Sequence, residues 1–421
     1  MNVTGFQAGD LLLPRQVDLT KWSVVACDQY TSQPEYWEAV DQLVGSAPSS
    51  LRLILPEALL GSPDGDRRIA AINEAMHRYQ EQGIFAPYPH RYLYLERTQR
   101  DGAIRRGLMG VVDLEQYDYR PGSRSLVRAT EGTVLERIPP RVKVRKDAPL
   151  ELPHILLLID DREKTVLEPL AARKGELESV YDFPLMMDSG HLKGWLVDDE
   201  GAASLEVALA RLADPAAFDA KYQVQGQGVL LFAVGDGNHS LATAKTCWEE
   251  LKPSLSPAQR ETHPARWALV EVVNLHDPAL VFEPIHRVLF QVDPQDLLES
   301  LSRVHRVGDG EGPGQRLRWV SAQGEGVLRI EDPGSNLPVG TLQRFLDRYL
   351  EEKGGRVDYV HGEDVARRLG SQPHSMAFLL PAMAKEDLFP TVILDGALPR
   401  KTFSMGHAWD KRFYLEARAI R

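Results

Sequence analysis

The stretch VLLFAVGDGNHSLATAKTCWEELK, residues 229–252, carries the clearest structural signal in the chain. Val229–Val234 is a continuous apolar run of strand length, Gly235-Asp236-Gly237-Asn238 is a tight turn, and a helix is expected from about His239 to Leu251. Glycines at 235 and 237 permit positive φ and let a ligand approach the backbone closely. The unpaired amides of the helix start would face the same place, with the positive end of the helix dipole behind them. A phosphate or carboxylate is therefore easily received there. The same residues also fit an ordinary Asp-Gly turn in which His239 or Ser240 merely caps the helix.

Outward from this unit, strand and helix signals alternate. Trp22–Ala26 reads as a short strand ending at Cys27-Asp28, followed by a helix announced by Thr31, Ser32 and Pro34. Arg67–Gln82 has the spacing of an amphipathic helix, with Gly83 as its C-cap. Tyr92–Arg97 and Ile104–Val112 form a hairpin signal around Asp101-Gly102. Ile155–Ile159 and Trp267–Asn274 read as buried strands, and Gly201–Lys221 as helix broken at Pro215. After Phe290 the composition shifts to Gly-rich hairpin chemistry over Val307–Asn336, then to a helix at Thr341–Lys353. The pattern predicts a mixed α/β (α+β) protein with a core at 1–290 and a smaller C-terminal α/β subdomain at 291–421, whose tail returns to the core site.

The chain has 421 residues, 43% of them hydrophobic, enough for more than one core. Its 49 basic and 60 acidic residues give a net charge of −11, which opposes general duplex nucleic-acid binding. Two cysteines, Cys27 and Cys247, exclude a disulfide scaffold and a thiolate zinc site, and suit a cytoplasmic protein. No apolar run approaches the roughly 20 residues of a spanning helix, so no membrane association is expected. Walker, Gly-x-Gly-x-x-Gly, Gly-x-Ser-x-Gly and His-Glu-x-x-His patterns are missing. The sequence does not fix an oligomeric state.

Four further clusters bear chemistry. Asp28 follows an expected strand end, where a carboxylate can be presented or can simply cap a helix. Arg128-Ala-Thr-Glu131-Gly-Thr133 is a polar loop. His286-Arg287 sets imidazole beside guanidinium, an anion-attracting pair. Leu398-Pro-Arg400-Lys401-Thr402 adds two cations and a hydroxyl, equally readable as a solvated charge run.

Together these stretches resemble the DUF1015 family, an uncharacterised group of bacterial and archaeal proteins. The family's Asp-Gly-His-His-Arg strand-to-helix box is matched by Asp236-Gly237-Asn238-His239-Ser240. Its Asp-Pro-x-Leu…Pro-x-His-Arg pattern is matched by Asp277, Pro278, Leu280, Pro284, His286 and Arg287. Its Tyr-Asp, His-Glu-x-Thr and Met-Pro-Pro-Lys-Ser-Thr-like elements are similar to Cys27-Asp28, Thr130–Thr133 and Leu398–Thr402. The box itself is similar to one in the ParB/sulfiredoxin-like nucleotide-binding fold, which includes free-serine kinases. That resemblance implies a core of this fold whose box and helix N-terminus hold phosphate. Asn238 and Ser240 depart from the box, and Ser240 removes the arginine that would clamp phosphate; Arg287, Lys401 and Arg128 are the candidate substitutes.

These residues lead to an expected phosphotransferase that uses a nucleotide or pyrophosphate-type donor on a small hydroxylated metabolite. The amides around Gly235, Gly237, Asn238 and Ser240 would hold phosphate, and Asp236 would hold a divalent ion such as Mg²⁺. His239 would donate to a phosphate oxygen, while Glu131 or Asp28 accepts the substrate proton. His286, Arg287 and Lys401 would complete the donor site, Arg287 and Lys401 stabilising developing charge. The rival expectations are a non-catalytic nucleotide or metabolite sensor, and metal-assisted phosphate hydrolysis through Asp236, His239 and Glu131.

Overall fold

A computed structural model describes residues 3–31, 33–309 and 311–421. Ser32, one of the expected helix-start residues, lies outside them. Helix makes up 37% and strand 27% of the chain, a mixed α/β protein with several sheets. It divides into two compact units: Met1–Leu280 together with His407–Arg421, and Val281–Gly406. The expected boundary at 290/291 falls just after the second unit's first strand, Phe282–Phe290, rather than before it at Val281. Composition marks the Gly-rich hairpin region, but hydrogen bonding assigns the preceding strand to the same sheet.

The first unit is built on a ten-stranded mixed sheet. Its strands are β1 (Phe6–Gln7), β2 (Leu93–Thr98), β3 (Ile104–Asp113), β4 (Tyr117–Asp118), β5 (Val127–Ala129), β6 (Leu156–Ile159), β7 (Glu178–Pro184), β8 (His191–Leu196), β9 (Phe232–Asp236) and β10 (Trp267–Asn274). The order across the sheet is β7-β8-β2-β3-β10-β6-β9-β5-β4, with β1 also pairing with β3. Alternation along the strands sends side chains to two cores. Leu93, Leu95, Met109, Val111 and Leu269 join one, while Tyr94, Leu108, Val112, Val270 and Val272 join the other. Burial on both faces explains why β6 and the first half of β9 read as unbroken apolar runs, and why β10 is apolar but for Glu271 and Asn274.

Two sequence expectations shift. Trp22–Ala26 is not a strand: Asp18 caps a short helix, Leu19–Trp22, by accepting from the amides of Thr20 and Lys21. The residues beyond instead meet the returning tail through the single Val25–Phe413 bridge. The basic stretch after Glu136, with no element expected, forms helix α1, Ile138–Lys146, with prolines in its first turn. The other elements appear within a few residues of their expected bounds, including β10 over Trp267–Asn274 and the break at Pro215.

The second unit carries a seven-stranded antiparallel sheet. Its strand Phe282–Phe290 is flanked by Arg356–His361 and Ser375–Leu379. The hairpin Gln315–Ser321/Gly324–Ile330 and the helix Pro338–Lys353 lie where turn chemistry and periodicity place them.

Candidate functional site

Strand β9 ends at Asp236 with a register slip against β6 between Val234 and Asp236. Gly235 is the extra residue of this bulge, a device that bends a strand and re-aims the next side chain. Gly237 follows with φ +76°, and a Cβ there would stand 3.0 Å from Ile155 Cα and 3.1 Å from its Cγ1. Only glycine fits. Helix α2, Asn238–Leu251, starts on this residue with no side-chain cap.

Neighbouring strands deliver the remaining groups. β5 runs parallel to β9, so their C-terminal ends open at the same edge. The chain leaving β5 is strapped over the helix start at two points: the Thr130 amide donates to Asn238 Oδ1 at 3.2 Å, and the Val134 amide to His239 Nε2 at 3.3 Å. Glu131 lies between these anchors. Thr133 Oγ1 on the same strap is buried with no hydrogen-bond partner. β6 runs antiparallel to β9, so the residues entering it reach the same edge. Among them, His154 is held at both ring nitrogens, Nδ1 2.7 Å from Tyr414 Oη and Nε2 3.1 Å from Ser240 Oγ. Asp28 Oδ2 stands 3.9 Å from the same Nε2, and the Cys27 amide donates to Tyr414 Oη.

The cation of the site is Lys411, whose Nζ lies 3.1 Å from Asp236 Oδ2, with the two side chains only 12% and 19% exposed. Burial alone would raise the Asp236 carboxyl. The Lys411 charge, His154, the Lys411 hydrogen bond and the Gly237 amide together hold it below the ordinary carboxylate range. Asp28, Glu131, Asp236, Asn238, His239 and Ser240 are thus brought to one edge of one sheet. Sequence reasoning missed Lys411, His154 and Tyr414. His154 stands one residue ahead of the expected strand, a usable clue, whereas Lys411 is tied to the turn only by tertiary folding.

Two of the cations proposed from sequence, Arg287 and Arg128, are bonded elsewhere. Arg287, 0% exposed, donates to Gln343 Oε1 and to the carbonyls of Ile285, Arg400 and Lys401. It stitches the second unit's own loop to its sheet, which corrects its reading as a charge stabiliser. His286 is buried beside it and accepts from the Leu380 amide at Nδ1. Lys401 belongs to the same unit and offers its carbonyl to Arg287. Arg128, 2% exposed, spends its donors on the carbonyls of Ser125, Gln227 and Gly228, and burial lowers its pKa to about 10.

The divalent-ion reading also changes. No group of three or more His, Cys, Asp or Glu residues among the described ones could hold a metal ion. The Asp236 carboxylate is moreover neutralised by Lys411, whose charge opposes a second cation. These residues do not fit a resident Mg²⁺. No helix of the described residues is long and apolar enough to cross a membrane.

A family model described as a protein of unknown function, DUF1015, matches residues 12–361. The chain belongs to the DUF1015 family. No curated protein matches the chain. Among solved structures, this DUF1015 protein is similar to a conserved hypothetical protein from Pyrococcus furiosus at 11% identity, covering 74% of this chain and 94% of that one, with a TM-score of 0.36. It is also similar to a free serine kinase in complex with AMP at 10% identity, covering 72% and 90%, with a TM-score of 0.37. SbnI with a C-terminal truncation, from Staphylococcus aureus, matches at 9% identity, covering 71% and 83%, with a TM-score of 0.36. Similarity this distant leaves the chemistry to be read from the chain's own residues.

The ion pair makes a pH-dependent prediction. Asp236 has a depressed folded pKa, so its stabilising contribution is present above the unfolded carboxylate value near ~4 and is lost as pH falls through the lower folded value. Lys411→Met leaves burial as the leading influence and raises the carboxyl, at a cost of about 1–3 kcal/mol near neutrality. The variant then loses stability relative to wild type as pH rises from ~4 toward 7. Urea midpoints across that range check this, and curves that stay parallel would refute it.

Proposed function

We propose that this DUF1015 protein is a small-molecule phosphotransferase whose donor phosphates sit on the Gly235–Ser240 turn and helix start, in a core of the ParB/sulfiredoxin-like type. One observation carries the reading: the uncapped N-terminus of α2 shares a sheet edge with a partly buried cation, Lys411, and two carboxylates, Asp28 and Glu131. Helix amides and a cation receive phosphate oxygens, and a carboxylate removes a hydroxyl proton. The unpartnered Thr133 Oγ1 offers a further hydrogen bond to a bound donor.

The reaction runs in one displacement. The acceptor's hydroxyl oxygen attacks the terminal phosphorus of a nucleotide or pyrophosphate-type donor. The bond from that phosphorus to the bridging oxygen breaks, and the shortened phosphate leaves with the electron pair. The hydroxyl proton passes to Asp28, which His154 helps to orient, while Lys411 and the helix amides hold the transferring group. Glu131, on the strap, closes over the donor's side of the site.

Calorimetric titration of ATP, ADP and pyrophosphate, followed by ³¹P NMR with a panel of hydroxylated metabolites, tests this. At least one donor is expected to bind saturably and to yield a phosphorylated product. Gly237→Ala is expected to weaken that binding at least tenfold, because a side chain at φ +76° pushes the turn off Ile155. Absence of donor binding, or unchanged affinity in a folded Gly237→Ala protein, would overturn the proposal.

A further inference from the structure

A cavity of about 150 Å³ lies within the first unit, beside the turn. Leu53, Leu55, Leu60, Met76, Val144 and Leu152 make its apolar wall. Cys27, His154, Ser240 and Tyr414 line it as well, so three groups of the candidate site, His154, Ser240 and Tyr414, also face this space. Its charged lining residues are paired with each other: Arg141 with Glu57, and Arg145 Nη2 with Glu151 Oε2 at 2.6 Å. The wall therefore presents little net charge. A cavity this size lined by aliphatic side chains accommodates a body about as large as benzene, roughly six heavy atoms. A nucleoside, with both base and sugar, exceeds it.

We propose that this cavity is the acceptor pocket, taking a neutral, hydroxylated small molecule whose apolar body of about six heavy atoms packs against Leu55, Met76 and Val144 while its hydroxyl meets Ser240, which His154 positions. The inference rests on the phosphotransferase reading and deepens it by naming the acceptor class. A hydroxyl at Ser240 and His154 lies at the start of α2, on the side of Asp28. Sugars and other fully polar acceptors are disfavoured, because their hydroxyls would be stripped of water against an apolar wall.

The full-length protein tests this with benzyl alcohol, 3-methylbutan-1-ol, toluene and glycerol as probes, read by saturation-transfer NMR and thermal shift. Wild type is expected to bind the first two saturably, to prefer benzyl alcohol to toluene, and not to bind glycerol. Val144→Phe, which fills the space from α1, is expected to lose at least tenfold in affinity, whereas Val144→Ala retains binding. Ser240→Ala is expected to erase the preference for benzyl alcohol over toluene, and this readout stands even if Val144→Phe does not fold. Unchanged benzyl alcohol affinity in folded Val144→Phe, or glycerol binding as well as benzyl alcohol, overturns the assignment. The two readings fail separately. If a metabolite that wild type phosphorylates is phosphorylated at the same rate by folded Val144→Phe, the pocket falls and the phosphotransferase stands. If the probes behave as expected but no donor binds, the pocket survives as a ligand site and the phosphotransferase falls.

Discussion

Asp28→Asn is expected to lower turnover by about 10²–10⁴-fold while leaving donor affinity within a few-fold of wild type, the loss typical of a missing general base. Asparagine keeps the size of the side chain and an acceptor for the Gln29 amide, which donates to Asp28 Oδ1 at 3.0 Å. What it removes is the capacity to accept a proton. Glu131→Gln serves as the contrast, since Glu131 lies on the strap over α2 rather than beside His154. That variant is expected to alter donor affinity more than turnover. Single-turnover rates and calorimetric affinities measured on both variants decide the assignment: a large turnover loss in Glu131→Gln with Asp28→Asn near wild type would reverse the two roles.

Arg412→Ala is expected to cost about 3–5 kcal/mol, a large part of the stability of an ordinary domain. Arg412 is 3% exposed and bridges Glu271 and Glu416, both 0% exposed, while its Nε donates to the Pro153 carbonyl at 3.1 Å. Removing it strands two carboxylates in the core, each without its principal counter-charge. Tyr181 Oη, 2.7 Å from Glu416 Oε1, and Arg105 Nη2, 3.5 Å from Glu271 Oε1, cannot neutralise both. The concerted change Arg412→Met, Glu271→Gln and Glu416→Gln discards the charges together and is expected to recover much of the loss. Urea unfolding read by tryptophan fluorescence separates these cases. A single variant within 1 kcal/mol of wild type would show that the network contributes little.

The strand–turn–helix at 229–252 was legible because its signals are local: an apolar run, two glycines and a 3.6-residue period within a few turns of chain. The structure adds the bulge at Gly235, which depends on how β6 pairs with β9 and so leaves no mark in the sequence. Asp28, Glu131 and Asp236 were found as carboxylates at expected strand ends or in loops. Their convergence needed the sheet order, in which β5, β9 and β6 are neighbours although far apart in sequence. The cation was misread for a physical reason. Arg287 lies beside a histidine in a promising pattern, but a guanidinium that is 0% exposed and bonded to three carbonyls is a structural clamp. Lys411 sits in a charged tail that looks solvated, and 175 residues separate it from Asp236. Trp22–Ala26 reads as a strand because it is apolar, yet Trp22 closes the helix Leu19–Trp22 and the segment beyond it makes only the isolated Val25–Phe413 bridge, a pairing that depends on the tail and leaves no mark in the sequence.

The chain order of the first unit has a kinetic consequence. Lys411, Arg412 and Tyr414 all come from the segment His407–Arg421, which belongs to the unit formed by Met1–Leu280. A ribosome emits all of Val281–Gly406 before any of them, so the inserted unit has its whole complement of residues while the earlier one still lacks Arg412 for Glu271 and Lys411 for Asp236. The larger unit therefore cannot be completed first, as the usual N-terminus-first order of co-translational folding would have it. Its Asp236 and Glu271 pairs with the tail form only after residues 407–421 have left the exit tunnel.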